Sequence, residues 1–244
     1  MYAASHCVEY YINTLWTENM IPSSDPDSKT NSSHRLSSFI KMNGHDFTLQ
    51  FENLQHATGR NKTWLCQIRR VNGGEGALQV FENEGSKHAE EICLQANEVA
   101  IKKADRYEIT WYLSWSSCER CAPQIIEFVE KHHNVKLNIF VSRLFRHQSS
   151  SHRKGLRALS QHERIGLKVM TLTDFKDCFD RFVGEGTGFE TWADPPGNSE
   201  IYAAILKEIT VRTRDTCDNH NAELKQELYT ENRLDRQNER IKIN

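Results

Sequence analysis

His88-Ala89-Glu90, followed 28 residues after the glutamate by Cys118-Glu119-Arg120-Cys121, constrains this chain more than any other feature. One imidazole and two thiols at that spacing can close on a single zinc ion, with a carboxylate beside it that need not be a ligand. Structural zinc takes four protein ligands, whereas catalytic zinc keeps one position open for water. His88, Cys118 and Cys121 as Zn2+ ligands, with Glu90 as general acid and base, therefore describe a hydrolytic centre. A structural zinc completed by Cys93 or by a histidine is the competing reading.

A chain of 244 residues suits one domain with tails. Hydrophobic residues make up 38%, enough for a core, while a mean hydropathy of −0.67 leaves sizeable parts solvated. The formal net charge of −2 does not by itself suggest a polyanionic partner. Its distribution does: Lys131 to Met170 holds nine Lys or Arg, five histidines and one acid, Glu163. Such a local basic surface attracts phosphates whatever the total charge. The seven cysteines are scattered and odd in number, which excludes a disulfide framework and favours a reducing compartment. No apolar run reaches about eighteen residues and no signal peptide opens the chain, so no membrane is expected and the sequons at Asn31 and Asn61 are expected to go unused. Cytoplasm is the default location, with nuclear entry open.

Residues 1–42 read as a mobile extension. Val8, Tyr11, Ile12, Leu15 and Trp16 fall at helical spacing, and a Ser/Asp/Asn/Pro-rich linker follows from Pro22 to Ser38. Residues 43–212 form the folded domain and 213–244 a polar tail. Within the domain the pattern predicts helices from Asp46, Glu90, Pro123, Lys154, Asp174 and Ser199. It predicts strands over Trp64–Ile68, Ala77–Phe81, Tyr107–Trp115, Leu137–Val141 and Leu167–Met170. For the Glu90 helix the apolar positions are Ile92, Ala96, Val99 and Ala100. Alternating strands and helices give an α/β layer architecture, and both halves of the metal motif fall at helix starts, where backbone N–H groups favour thiolate.

The pairing of H-x-E with C-x-x-C is the signature of zinc nucleobase deaminases. Together with Ser114-Trp115-Ser116-Ser117, Ser142-Arg143-Leu144-Phe145, Asp177-Cys178-Phe179 and Phe182-Val183, it resembles the AID/APOBEC family of polynucleotide cytidine deaminases, from about Asp46 to Ile209. The resemblance implies a five-stranded mixed sheet flanked by about six helices. It also implies deamination of cytosine to uracil in single-stranded DNA or RNA, in restriction of viruses and retroelements, transcript editing or antibody diversification. RNA-bridged or weak self-association is a further implication. By the same resemblance Trp115 walls the cytosine pocket with Ser116 beside it, Asn83 contacts the target nucleotide, and Thr63 sits at the pocket mouth. Phe145 stands where the family has a stacking tyrosine, and the loop carrying Arg143, Arg146, His147 and His152 faces the base on the 5′ side of the target.

Two positions depart from the family pattern. Ser117 replaces a proline, and as a helix N-cap it would preserve the ligand geometry. Glu91 replaces an apolar residue and predicts a shifted entry of its helix into the core. Two other functions stay open: a zinc fold that binds nucleic acid without turnover, and a deaminase of free cytidine or its nucleotides.

Overall fold

The computed structural model describes residues 42–55, 59–184 and 188–211; the expected N-terminal helix, its linker and the polar tail lie outside them. β1 (Trp64–Val71) and β2 (Gly76–Glu82) form an antiparallel hairpin. Asn72 and Gly73 both adopt positive φ, 51° and 76°, the two-residue combination that Asn-Gly tolerates best. The Asn72 side chain then bonds Asp105 and the Arg106 amide, at 2.9 and 2.8 Å, fastening the turn to the start of β3 (Tyr107–Leu113). β3 pairs antiparallel with β1, and β4 (Val135–Val141) and β5 (Ile165–Val169) follow in parallel, giving one five-stranded mixed sheet in the order β2-β1-β3-β4-β5.

Among the described residues six helices cover the two faces: α1 (Gly44–Phe51), α2 (Ala89–Ala100), α3 (Cys121–Lys131), α4 (Ser150–Gln161), α5 (Leu172–Phe182) and α6 (Pro195–Thr210). Alternation along the strands divides the core. Ile109, Trp111, Leu113, Leu137, Ile139 and Val141 pack against α2, α3, α4 and α6. Cys66, Ile68 and Tyr112 pack against the aromatic faces of α1 and α5. Phe47 stacks on Phe51 at 4.8 Å and meets Phe179 edge-on at 5.3 Å. The sheet is therefore the middle of three layers, as the alternating pattern implied.

The α2 helix departs from expectation. Its buried face is Ala89, Glu90, Cys93, Leu94 and Asn97, while Val99 is exposed. The helix meets the sheet through polar groups: Gln67 Oε1 accepts from Asn97 Nδ2 at 2.7 Å, Trp111 Nε1 at 2.9 Å and Cys93 Sγ at 3.2 Å. Arg69 donates to Asn97 Oδ1 at 3.0 Å. Asn97→Ala would take the side-chain acceptor from the buried Arg69 guanidinium and one of three donors from Gln67 Oε1, so we expect about 2–3 kcal/mol of destabilisation, read by denaturant unfolding. Glu91, in the first turn, caps its helix. Its carboxylate accepts from the His88 amide at 2.8 Å, closing a capping box, and takes Gln124 Nε2 at 3.2 Å from α3.

Two smaller differences share a cause. β3 ends at Leu113, because Ser114 makes the last rung with Trp64 through both backbone and hydroxyl and the chain then bends away. α6 begins four residues before Ser199, with the Asp194 carboxylate capping its first turn at Gly197 N. Pro195, Ser199, Tyr202, Leu206 and Ile209 are its buried positions and Ile201 faces outward.

Candidate metal centre and active site

The motif residues converge where two helices begin side by side. His88 is the N-cap of α2, and Cys118 lies in the turn after β3 that leads to Cys121, the first residue of α3. His88 Nδ1 stands 3.2 Å from Cys121 Sγ and 3.4 Å from Cys118 Sγ, and the two sulfurs are 3.6 Å apart. For tetrahedral zinc with bonds of about 2.3 Å to sulfur and about 2.0 Å to nitrogen, the corresponding edges are roughly 3.5–3.8 Å. The ligand set fits the metal. Among the described residues this is the one grouping of three such side chains within metal-binding reach. Cys93 is not part of it; its thiol is turned to Gln67.

The electrostatics agree with the donor set. Hydrogen bonding from Cys121, aided by the Cys121 and Arg120 backbone amides, pulls Cys118 down to about 5 even though burial opposes it. Cys121 is pushed up because it holds the proton the pair shares. A divalent cation would take that proton's place.

Glu90 is 2% exposed, and burial pushes its carboxyl above the usual carboxylate range. Its own backbone amide and the Ser117 hydroxyl beside it pull the carboxyl partly back, while Oε2 makes no hydrogen bond within the protein. An unsatisfied buried carboxyl oxygen next to the ligands marks a place built for a polar atom from outside the chain. Ser117 does not act as an N-cap, since α3 is preceded by Arg120 at its cap position; the ligand geometry holds without it.

The expected pocket residues divide by what their side chains are already doing. Thr63 and Asn83 meet at the ends of β1 and β2, with Asn83 N donating to Thr63 O at 3.3 Å. Asn83 Oδ1 accepts from the Ala89 amide at 3.0 Å, so the residue caps the helix that carries Glu90, and its amide N–H groups make no protein hydrogen bond. Trp115 is half-buried and donates from Nε1 to Arg60 O at 3.2 Å. Phe145 meets it edge-on at 6.2 Å. Ser116 is buried, and its Oγ accepts from the Phe145 amide at 2.9 Å, so it ties the two loops together.

Arg143 corrects the sequence-based expectation. It is fully buried, and its guanidinium donates to the carbonyls of Gln50 and Glu52, so it cannot touch a phosphate. Burial, with the Arg60 charge near it, pulls it down to about 9. His152 is likewise buried and paired with Glu119 at 2.5 Å. Most of the basic stretch is engaged in the same way. Lys131, Arg153 and Lys168 pair with Glu98, Glu208 and Asp174, and Arg157 and Arg164 bond backbone carbonyls. Of its nine Lys and Arg, Lys136, Arg146 and Lys154 make neither kind of contact.

Arg146 is exposed at the tip of the loop after β4, its guanidinium 5.3 Å from the Phe145 ring centroid. Its φ of 42° is left-handed, a conformation that a side-chain-bearing residue holds at a cost. We expect Arg146→Gly to raise the melting temperature by about 2 °C by relieving about 1 kcal/mol of backbone strain. The same change should flatten the salt dependence of single-strand binding by about 0.7 in log–log slope. Differential scanning fluorimetry and an anisotropy titration would read the two effects.

His147 packs edge-on to Tyr202 at 6.5 Å. Arg146, His147 and Trp115 line a cavity of about 400 Å3 together with Gln55, Leu144 and Tyr202. Gln55 and Tyr202 were not singled out by the sequence. Tyr202 carries a signal only as part of the apolar stripe of α6, and Gln55 carries none.

A mixed five-stranded sheet, helices on both faces, and a His/Cys/Cys grouping at two adjacent helix starts define the cytidine-deaminase fold. Residues 40–210 match the family described as APOBEC3, cytosine deaminase domain. The human C→U-editing enzyme APOBEC-2 is 34% identical over 172 residues, covering 67% of this chain and 76% of that protein. The mouse DNA dC→dU-editing enzyme APOBEC-3 is 36% identical over 172 residues, of which the chain spans only 39% of the mouse protein's length. Human DNA dC→dU-editing enzyme APOBEC-3H is 35% identical over 143 residues, covering 56% of this chain and 70% of that protein. The chain belongs to the AID/APOBEC family of cytosine deaminases. No described helix is long and apolar enough to cross a membrane.

Proposed function

We propose that this protein deaminates cytosine to uracil in single-stranded DNA or RNA. The observation that carries the reading is the buried, unpartnered Glu90 Oε2 beside the His88, Cys118 and Cys121 ligand set. Zinc in such a set supplies Lewis-acid activation of water. Glu90 Oε2 accepts the proton of the attacking water as it adds to C4. It delivers that proton to N3, then carries the second proton of the same water from the C4 hydroxyl to the amino group, which leaves as ammonia as the C4 carbonyl forms. Its raised pKa suits a group that must both take and give a proton. Trp115, with Phe145 edge-on to it, walls the base, while Asn83 and Thr63 face the nucleotide from the hairpin side.

A polynucleotide suits the site better than a free nucleoside. Phe145 offers a ring for stacking, Arg146 a cation without a carboxylate partner, and the adjoining cavity has room for a neighbouring base. The test is C-to-U conversion by RNase-treated protein on single-stranded DNA, single-stranded RNA and free cytidine. Faster turnover of an oligonucleotide than of cytidine supports the reading. Turnover of cytidine alone would overturn it, and none from folded, zinc-loaded protein would make the chain a binding protein. The same assay decides between DNA and RNA and gives the flanking-base preference.

A further inference from the structure

α1 ends with its carbonyls pointing at side chains from the segment that follows it and from the start of the loop after β4. Arg60 Nε donates to Leu49 O at 2.5 Å, Arg143 Nη2 to Gln50 O at 2.6 Å, and Ser142 Oγ to Phe51 O at 2.6 Å. Arg143 Nη1 takes Glu52 O. Two guanidinium groups and a hydroxyl thus satisfy the carbonyls that a helix end leaves open, where the negative end of the helix dipole favours cations.

Capping alone does not account for the arrangement. Arg143 makes no ion pair, its Nε is buried without a partner, and a buried cation of that kind is costly. What its position adds is a stack: Cζ of Arg143 lies 4.2 Å from the centroid of the Trp115 ring. The same indole donates to Arg60 O, one residue in the pair that clamps α1. Trp115 is therefore held from its face by one arginine and from its edge by the backbone of the other, and both are anchored on one helix end.

We propose that Arg143 is a positioning residue: it fixes the Trp115 ring that walls the cytosine pocket and acts on substrate only through that ring. This rests on the deaminase reading given above. The planar guanidinium is what the geometry requires, because it bonds two carbonyls in its plane and presents a flat face to the indole at once. A lysine ammonium does neither.

A mutant cycle on the zinc-loaded full chain tests it, using a single-stranded DNA oligonucleotide with one cytosine. Arg143→Lys should lower kcat/KM about tenfold, chiefly through KM, with zinc content unchanged. In a Trp115→Phe background the same change should cost less than about twofold, because the ring through which it acts has gone. Ser142→Ala, which removes a neighbouring bond to α1 but not the stack, should leave KM at the wild-type value. The log–log salt slope of oligonucleotide binding should also stay at the wild-type value.

Equal losses from Arg143→Lys in both backgrounds would overturn the proposal. So would an equal rise in KM from Ser142→Ala. A salt slope flattened by about 0.7 would make Arg143 a phosphate ligand instead. If the wild type does not deaminate the oligonucleotide, that failure belongs to the deaminase reading. Thermal unfolding of the four cycle proteins then decides for Arg143: non-additive shifts in melting temperature support the contact with Trp115, and additive shifts overturn it.

Discussion

Glu90→Gln is expected to lower deamination by about 10²- to 10⁴-fold while leaving the zinc content and the fold in place. Its Oε2 makes no hydrogen bond, so the amide breaks nothing at that atom. The side chain keeps its size in a position that is only 2% exposed. What disappears is the capacity to carry a proton between water, N3 and the departing amino group. C-to-U conversion and metal analysis on the same preparation check the result. Equal conversion by variant and wild type, above a no-protein control, would show that Glu90 is not the proton carrier.

Cys121→Ser is expected to have the second large effect, this time on the molecule as a whole. Cys121 is fully buried and stands 3.2 Å from His88 Nδ1 and 3.6 Å from Cys118 Sγ. A serine hydroxyl is shorter and far less acidic than a thiol, so one edge of the ligand triangle fails. Zinc retention and turnover should be lost together. Stability should fall by about 3–6 kcal/mol, short of the roughly 10–16 kcal/mol that zinc gives to small finger peptides. The difference is physical: here the ligand segments are already held by the sheet, the α2 capping box and the α3 packing. Denaturant unfolding with and without a chelator checks this. The wild type should drop to the level of the variant when chelated, and the variant should not move. A wild type indifferent to the chelator would remove zinc from the site.

The sequence was most informative where function and spacing coincide. The meeting of His88, Cys118 and Cys121, with Glu90 beside them, was legible because few other roles need those residue types at those intervals. The strands were legible from aromatic and β-branched runs, to within two residues at their starts. The α2 helix was misread because its inward face is polar: Asn97 and Glu90 are buried and Val99 is not. A hydrophobicity pattern cannot find a helix that docks through a hydrogen-bond network. Arg143 was misread for a related reason. On a basic loop beside an aromatic residue, an arginine looks like a phosphate contact. What buries it is α1, some ninety residues earlier, and no local pattern carries that information. Glu91, read as a disturbance, turned out to complete a cap, because its partner is a backbone amide invisible in the pattern.

The separations along the chain also distinguish the metal centre from the wall of its pocket. His88 and Cys121 are 33 residues apart, whereas Arg143 reaches back 93 residues to Gln50. Closing the longer loop costs about 1 kcal/mol more in chain entropy. Arg143 lies just beyond β4, which pairs with β3 in the finished sheet. The metal ligands are all carried by one stretch of chain, from the start of α2 through β3 to the start of α3, whereas the support of Trp115 draws on α1 as well. The two features thus rest on contacts of different range, the ligand cluster on 33 residues of chain and the Arg143–Gln50 contact on 93.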